Sequence, residues 1–336
     1  MRRSNPLRGI AGLLAMAIVF AGGPRTAAAD AAENLARART FLETLSPELR
    51  KIASVDISAP DRSNWSYLPG KRPGVALVEL EAHQIEAWNA FLAGALGEAG
   101  AARARRIRMT EPVADRGDPA RIGPQAFRIR FFGIQGDTPP PAWAWRFEGH
   151  HLSLHQTIVG NEVVSATPIF LGSVLLRDQA GEPLGSEDRR AEEILGLLGD
   201  EELEQAIDPR RLPGDLRTAM LPGDRWSFEG GVSLEAAGRN ARRIADGIVD
   251  GLLAMQASDA VDDLRASWSH TASKDITFAW CGHQDRMRPH QWRLVSPTIV
   301  VEFSHSGGDV EHGHLVLRTR SGEFSKLAEQ AWRNAP

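Results

Sequence analysis

From Ala126 onward the chain is a series of short runs rich in β-branched and aromatic residues, divided by turn formers, and this pattern limits the available folds more than any other. Phe127 to Phe132, Trp143 to Phe147, His151 to Val159 and Glu162 to Ala166 each have strand length, and Gly160-Asn161 sits where a hairpin would turn. Ile276 to Trp280, Gln291 to Leu294, Thr298 to Phe303 and His314 to Arg318 repeat the pattern, with Ser304 to Asp309 as a polar, glycine-rich turn. Consecutive strands joined by tight turns pair antiparallel. A mainly antiparallel central sheet is therefore expected.

Helical spacing appears elsewhere. Ala31, Leu35, Ala38, Phe41, Leu42 and Leu45 form an apolar stripe over residues 31 to 51. Val75 to Leu80 reads as a short strand, and Ala82 to Leu96 as a helix that Gly97 and Gly100 should end. Ser186, Asp200 and Ser233 are placed to cap helices carrying Ile194, Leu203 and Ile248. With 42% of 336 residues hydrophobic and neither repeat nor long linker, the expected class is α+β: a single domain over residues 30–336, its antiparallel sheet flanked by helices.

Residues 1–29 read as a cleavable signal peptide: Arg2, Arg3 and Arg8, an apolar stretch from Gly9 to about Gly22 too short to span a bilayer, then Ala27-Ala28-Ala29 before Asp30. No cysteine follows the apolar stretch, so no lipid anchor is expected once the signal is removed. The reading is a periplasmic or secreted protein. Lys and Arg number 39 against 43 Asp and Glu, and four of those arginines would leave with the signal, so nucleic acid is not an expected partner. The single cysteine, Cys281, excludes an intrachain disulfide and a zinc site of several thiolates. Any metal must be held by His, Asp or Glu.

Five of the ten histidines lie in two segments, Glu148-Gly149-His150-His151-Leu152-Ser153-Leu154-His155 and Glu311-His312-Gly313-His314-Leu315-Val316-Leu317-Arg318. On a strand, His312 and His314 share a face with Arg318, while Leu315 and Leu317 point the other way. Glu302, on the preceding strand among Val300, Val301 and Phe303, needs a cation or a donor if buried. His151 shares a face with Ser153 and His155, so an ideal strand would present either His150 or His151 to a common site, not both. Two readings stay open: histidines that only satisfy hydrogen bonds, and a shared polar or metal site of His150, His151, His312 and His314. Imidazole ligands suit zinc, copper, iron or nickel, so the cofactor would be one divalent transition metal. Cys281 next to Gly282-His283 reads as a structural thiol, and Ser153 lies outside any nucleophile-elbow motif.

These residues carry a resemblance. Trp145-x-Phe147-Glu148-Gly149-His150-His151-Leu152-Ser153-Leu154, Thr167-Pro168-x-Phe170-Leu171-Gly172, Phe278-Ala279-Trp280-x-Gly282, Ser296-Pro297-Thr298, Glu302-Phe303 and His312-x-His314-x-x-x-Arg318, with Asn64-Trp65, Pro69 and Arg72 upstream, resemble the domain-of-unknown-function family 3500. The resemblance implies export and a shared site without naming a reaction. This chain departs from the family pattern at His155, where members tend to have Asn, at Thr319, where they have an acid, and at Gly322-Glu323-Phe324-Ser325, where they have Asn-Asp-aromatic-Gly.

Two functions follow from the residues. In one, a metal-dependent enzyme acts on a small anionic substrate: the histidines hold the ion, Glu148 or Glu302 is the general base or supports a ligand, and Arg318 binds the anion. In the other, the same face is a non-catalytic binding site for a metal or small-molecule ligand.

Overall fold

Side-chain alternation gives each long strand one apolar and one largely polar face, and both are buried. The computed structural model describes residues 27–111, 122–176, 184–221 and 225–335. The signal-peptide reading thus falls almost wholly outside the described residues. In chain order the elements are α1 (Ala27–Thr44), α2 (Pro47–Ala53), β1 (Ser54–Val55), β2 (Val75–Ala76), α3 (Ala82–Met109), β3 (Arg128–Phe132), β4 (Ala142–Gly149), β5 (Leu152–Val159), β6 (Glu162–Ser165) and β7 (Ile169–Ser173). There follow α4 (Gly185–Leu195), α5 (Asp200–Ala206), β8 (Ile207–Asp208), β9 (Val232–Ser233), α6 (Gly238–Leu253), α7 (Asp259–His270), β10 (Thr277–Gly282), β11 (His290–Val295), β12 (Ile299–His305), β13 (Gly313–Thr319) and α8 (Leu327–Arg333).

The expected mixture of helices and a mostly antiparallel sheet is present, but the sheet is mixed. Its path runs β1-β3-β4-β5-β7-β13-β12-β11-β10-β8, and the β1–β3 and β8–β10 pairs are parallel. The hairpin strands β3 to β5 form one half and β10 to β13 the other. Strand β7 joins them, pairing antiparallel with β5 on one side and β13 on the other. Trp143, Trp145 and Phe147 of β4, Val301 and Phe303 of β12, and Leu315 and Leu317 of β13 pack into the main core with α1, α3 and α6. The opposite face carries Arg146, Glu148, Ser153, His155, Glu302, His314 and Arg318, all buried under irregular chain rather than solvated.

Three helix expectations need correction. The N-caps of α4, α5 and α6 are Leu184, Gly199 and Ala237, not Ser186, Asp200 and Ser233. The run over residues 31 to 51 is two helices, because Ser46 and Pro47 start a new one: the Ser46 hydroxyl accepts from the Leu49 N–H and Pro47 takes the first turn. Helix α3 does not end at Gly97. It kinks there, where glycine adopts φ 72° and ψ 165°, and continues to Met109. Gly100 is a packing contact, since a Cβ there would stand 2.3 Å from the Met255 carbonyl oxygen.

Candidate metal centre

The centre lies where β7 joins the two halves of the sheet. His150 and His151 are the two loop residues of the β4–β5 hairpin, not strand residues, and His151 takes a left-handed φ of 65°. This corrects the strand alternation expected for them. Their rings are tilted by 32° with centroids 3.5 Å apart, and both Nδ1 atoms face Glu111. The Gly172 N–H donates to the His151 carbonyl at 2.7 Å, and the ring crosses directly over Gly172, where a Cβ would meet His151 Cδ2 at 2.6 Å. Gly172 in turn pairs with His314. His312 lies in the turn before β13, yet its Nε2 is 2.7 Å from His151 Nε2 and 3.1 Å from His314 Nε2. His150, His151 and His312 can each place one ring nitrogen within 4.8 Å of the others. All four histidines singled out in the sequence therefore come together.

Two carboxylates hold the outer edges of these rings. Glu111, just past α3, accepts from His151 Nδ1 through one oxygen and lies 2.9 Å from His150 Nδ1 through the other. Asp215 accepts from His314 Nδ1 at 2.6 Å, and Tyr67 Oη donates to its second oxygen at 3.3 Å. Burial alone would raise both carboxyls, but hydrogen bonds to the histidines hold Glu111 and Asp215 below the usual carboxylate range. Burial pushes His151 down to about 4 despite the Glu111 carboxylate. His312 also falls to about 4, through burial and the neighbouring His314 and His150. Burial and Asp215 raise the Tyr67 phenol.

An ionised carboxylate only accepts, so the Nδ1 atoms of His151 and His314 carry their protons, and Nε2 is the lone-pair nitrogen of the neutral tautomer this fixes. Both lone pairs face Nε2 of His312. One N–H there could serve one of them; a cation serves all three nitrogens. Carboxylate–imidazole pairs of this kind orient histidine ligands at metal sites and fix their tautomers.

Residues 27–326 match the model of a family described as protein of unknown function (DUF3500). The chain belongs to the DUF3500 family. No curated protein and no solved structure matches it. The DUF3500 resemblance seen in the sequence is thereby met over most of the chain, and its quoted segments supply the histidines, Gly172 and the buried polar face.

The three residues expected to act in catalysis have other partners: among the described residues, no hydrogen bond links Glu148, Glu302 or Arg318 to these imidazoles. Glu148 accepts from Arg72 at 2.9 Å and from Ser66 N–H and Ser153 Oγ at 3.1 Å, with Arg146 at 3.7 Å. Glu302 is fully buried and accepts from the Arg217 and Thr218 backbones at 2.6 and 2.9 Å, the Thr218 hydroxyl and Gln291. Arg318 is paired through two nitrogens with Glu323, donates to the Ala219 carbonyl and lies over Trp65 and Trp226. Glu323, five residues on, is the acid that meets Arg318. His155 stacks on Phe324 with centroids 4.4 Å apart. Glu111, Asp215, Tyr67 and Gly172 are the residues that sequence reasoning did not place at the site. Only Gly172 left a trace, inside a motif quoted for the resemblance.

A second buried group, Asp188, His290 and His305, sits on the helix-covered face. His290 Nε2 lies 2.8 Å from Asp188 Oδ1, which also accepts from Trp292 Nε1. His305 Nδ1 already accepts the His290 N–H at 3.2 Å, and His290 Nδ1 faces the Arg288 carbonyl. One ligand atom of each of the three lies within 4.8 Å of the others.

Proposed function

We propose that this protein is an exported metal-dependent enzyme in which His151, His312 and His314 hold one divalent transition metal and a remaining position takes water. Glu111 and Asp215 orient the ligand rings, as carboxylates do in catalytic zinc sites, and three neutral imidazoles with an open position are a donor set that zinc accepts, as do copper and iron. The metal would lower the pKa of bound water to roughly 7 and supply hydroxide for hydrolysis of a small-molecule substrate. One observation carries this reading: two imidazoles whose tautomers are fixed by carboxylates aim their lone pairs at a third. The anion-binding part of the sequence reading moves away from Arg318, whose donors are engaged by Glu323 and Ala219.

The position of His150 supports a second reading. It shares with His151 and His312 a set of ligand atoms within 4.8 Å of one another, and joined to His314 as a fourth nitrogen ligand it would close the coordination shell, making the protein a metal-binding module without turnover. Export rests on residues 1–29; among the described residues no helix is long and apolar enough to cross a membrane. A sheet that runs through both halves of the chain supports one domain over residues 30–336.

The test is elemental analysis of mature protein purified from its native compartment without a metal-affinity tag. About one equivalent of metal is expected, lost in H312A/H314A; no bound metal in the wild type would end the proposal. X-ray absorption then separates three nitrogens plus oxygen, the enzyme, from four nitrogens, the binding module.

A further inference from the structure

The kink at Gly97 divides α3 into two arms, and a groove of about 680 Å³ opens between them. That size falls within the range of small-molecule sites. Its floor is apolar: Trp88, Leu92 and Ala93 of the first arm, with Phe147 from β4. Its far end is basic. Arg105, Arg106 and Arg108 of the second arm all line it, and Glu98, the one carboxylate among its described lining residues, sits beside the hinge at the opposite end of that arm.

The state of these arginines is what points to a ligand. Arg103, one turn earlier, is spent on a bidentate pair with Glu187, both contacts 2.9 Å. Among the described residues, Arg105, Arg106 and Arg108 make no ion pair and no side-chain hydrogen bond. Burial and the neighbouring Arg105 lower the pKa of Arg108, so charge is held there at a cost. A helix C-terminus favours cations but does not occupy guanidinium N–H donors. Three unspent cations at one end of an apolar trough, in a chain whose formal charge is -4, are complementary to one ligand chemistry.

We infer that the α3 groove binds a single-chain amphiphile with an anionic head, the acyl chain lying along Trp88, Leu92 and Phe147 and the head meeting Arg105, Arg106 and Arg108. This site is separate from the proposed metal centre, although the second arm leads within two residues from Met109, which lines the groove, to Glu111.

Calorimetric titration of the full mature chain with dodecanoate, below its micelle concentration, tests it. Saturable binding with one molecule per chain is expected, weakened at least tenfold in R105E/R106E/R108E and abolished in A93W, which fills the floor and leaves the charges. Dodecyltrimethylammonium should bind at least tenfold more weakly than dodecanoate. Absence of dodecanoate binding, equal binding of the cationic probe, or unchanged affinity in both variants would each overturn the assignment. So would binding to anionic phosphatidylglycerol vesicles without binding of monomeric dodecanoate, which would mark a membrane-facing patch instead. Metal content of the variants, measured in parallel, should stay at the wild-type level.

Discussion

Asp215 Oδ1 lies 2.6 Å from His314 Nδ1, and two and three residues further along the same loop the backbone N–H groups of Arg217 and Thr218 point to Glu302. One carboxylate orients a histidine; another, buried in the sheet, positions the loop that carries the first. Replacing Asp215 with Ala should weaken metal binding by about 10- to 100-fold, the usual effect of losing an imidazole's outer partner. Asp215 is partly exposed, so the denaturant midpoint should move little. Competition against a chelator measures the affinity, and an unchanged affinity would remove Asp215 from the site.

Glu302 predicts the opposite order. Its removal in E302A strands buried donors on Arg217, Thr218 and Gln291, and leaving such groups unsatisfied costs about 1–3 kcal/mol each. Stability should therefore fall by several kcal/mol. If Glu302 acts on the metal only through the loop, D215A/E302A should bind metal no more weakly than D215A alone. An additional loss in the double variant would place Glu302 at the metal after all.

The sequence made the outline of the sheet legible because its hairpin strands alternate and are bounded by turn formers. Strand β7 escaped notice: Ile169-Phe170-Leu171-Gly172 is buried on both faces, so it lacks the alternation that marks a half-solvated strand. The four histidines were legible by clustering. Glu111 and Asp215 were not, since they lie 39 and 99 residues from His150 and His314 in segments without a periodic signal, and only the folded chain brings them together. Glu148, Glu302 and Arg318 show a different limit. A buried charge does require a partner, but the sequence does not say whether that partner is a metal, a guanidinium or a loop's N–H groups.

His155 gives the chain a specific acid sensitivity. Burial pushes its pKa down to about 3 from an ordinary 6.5, with Arg146, Arg318 and Arg62 adding to the effect. The unfolded chain takes up a proton as pH falls below about 6.5, whereas the folded chain resists until about 3. Stability is thus complete above 6.5, declines between these values and levels off below them. At pH 5 the loss is on the order of 2 kcal/mol. H155N cannot titrate, so the stability difference between wild type and variant should shift in the variant's favour by about that amount between pH 7.5 and pH 5. Denaturant melts at both values check this, and a difference independent of pH would contradict it.

Gly172 offers the sharpest steric test of the centre. A Cβ there would come within 2.6 Å of His151 Cδ2 and 3.0 Å of its Cβ and Cγ, atoms of a side chain whose ring Glu111 holds through Nδ1. The glycine lies in regular antiparallel pairing with His314, so alanine imposes contact rather than a foreign backbone conformation. G172A must move the His151 ring or open the strand pairing beneath it. Overpacking of this kind costs about 1–3 kcal/mol. If the ring moves, His151 Nε2 leaves its place 2.7 Å from His312 Nε2, and metal affinity should fall at least tenfold even though no ligand has been altered. The double variant G172A/H151A should regain stability relative to G172A, since alanine removes the ring that clashes, but should not regain metal. Restored metal binding in that double variant would show that His151 is not a ligand.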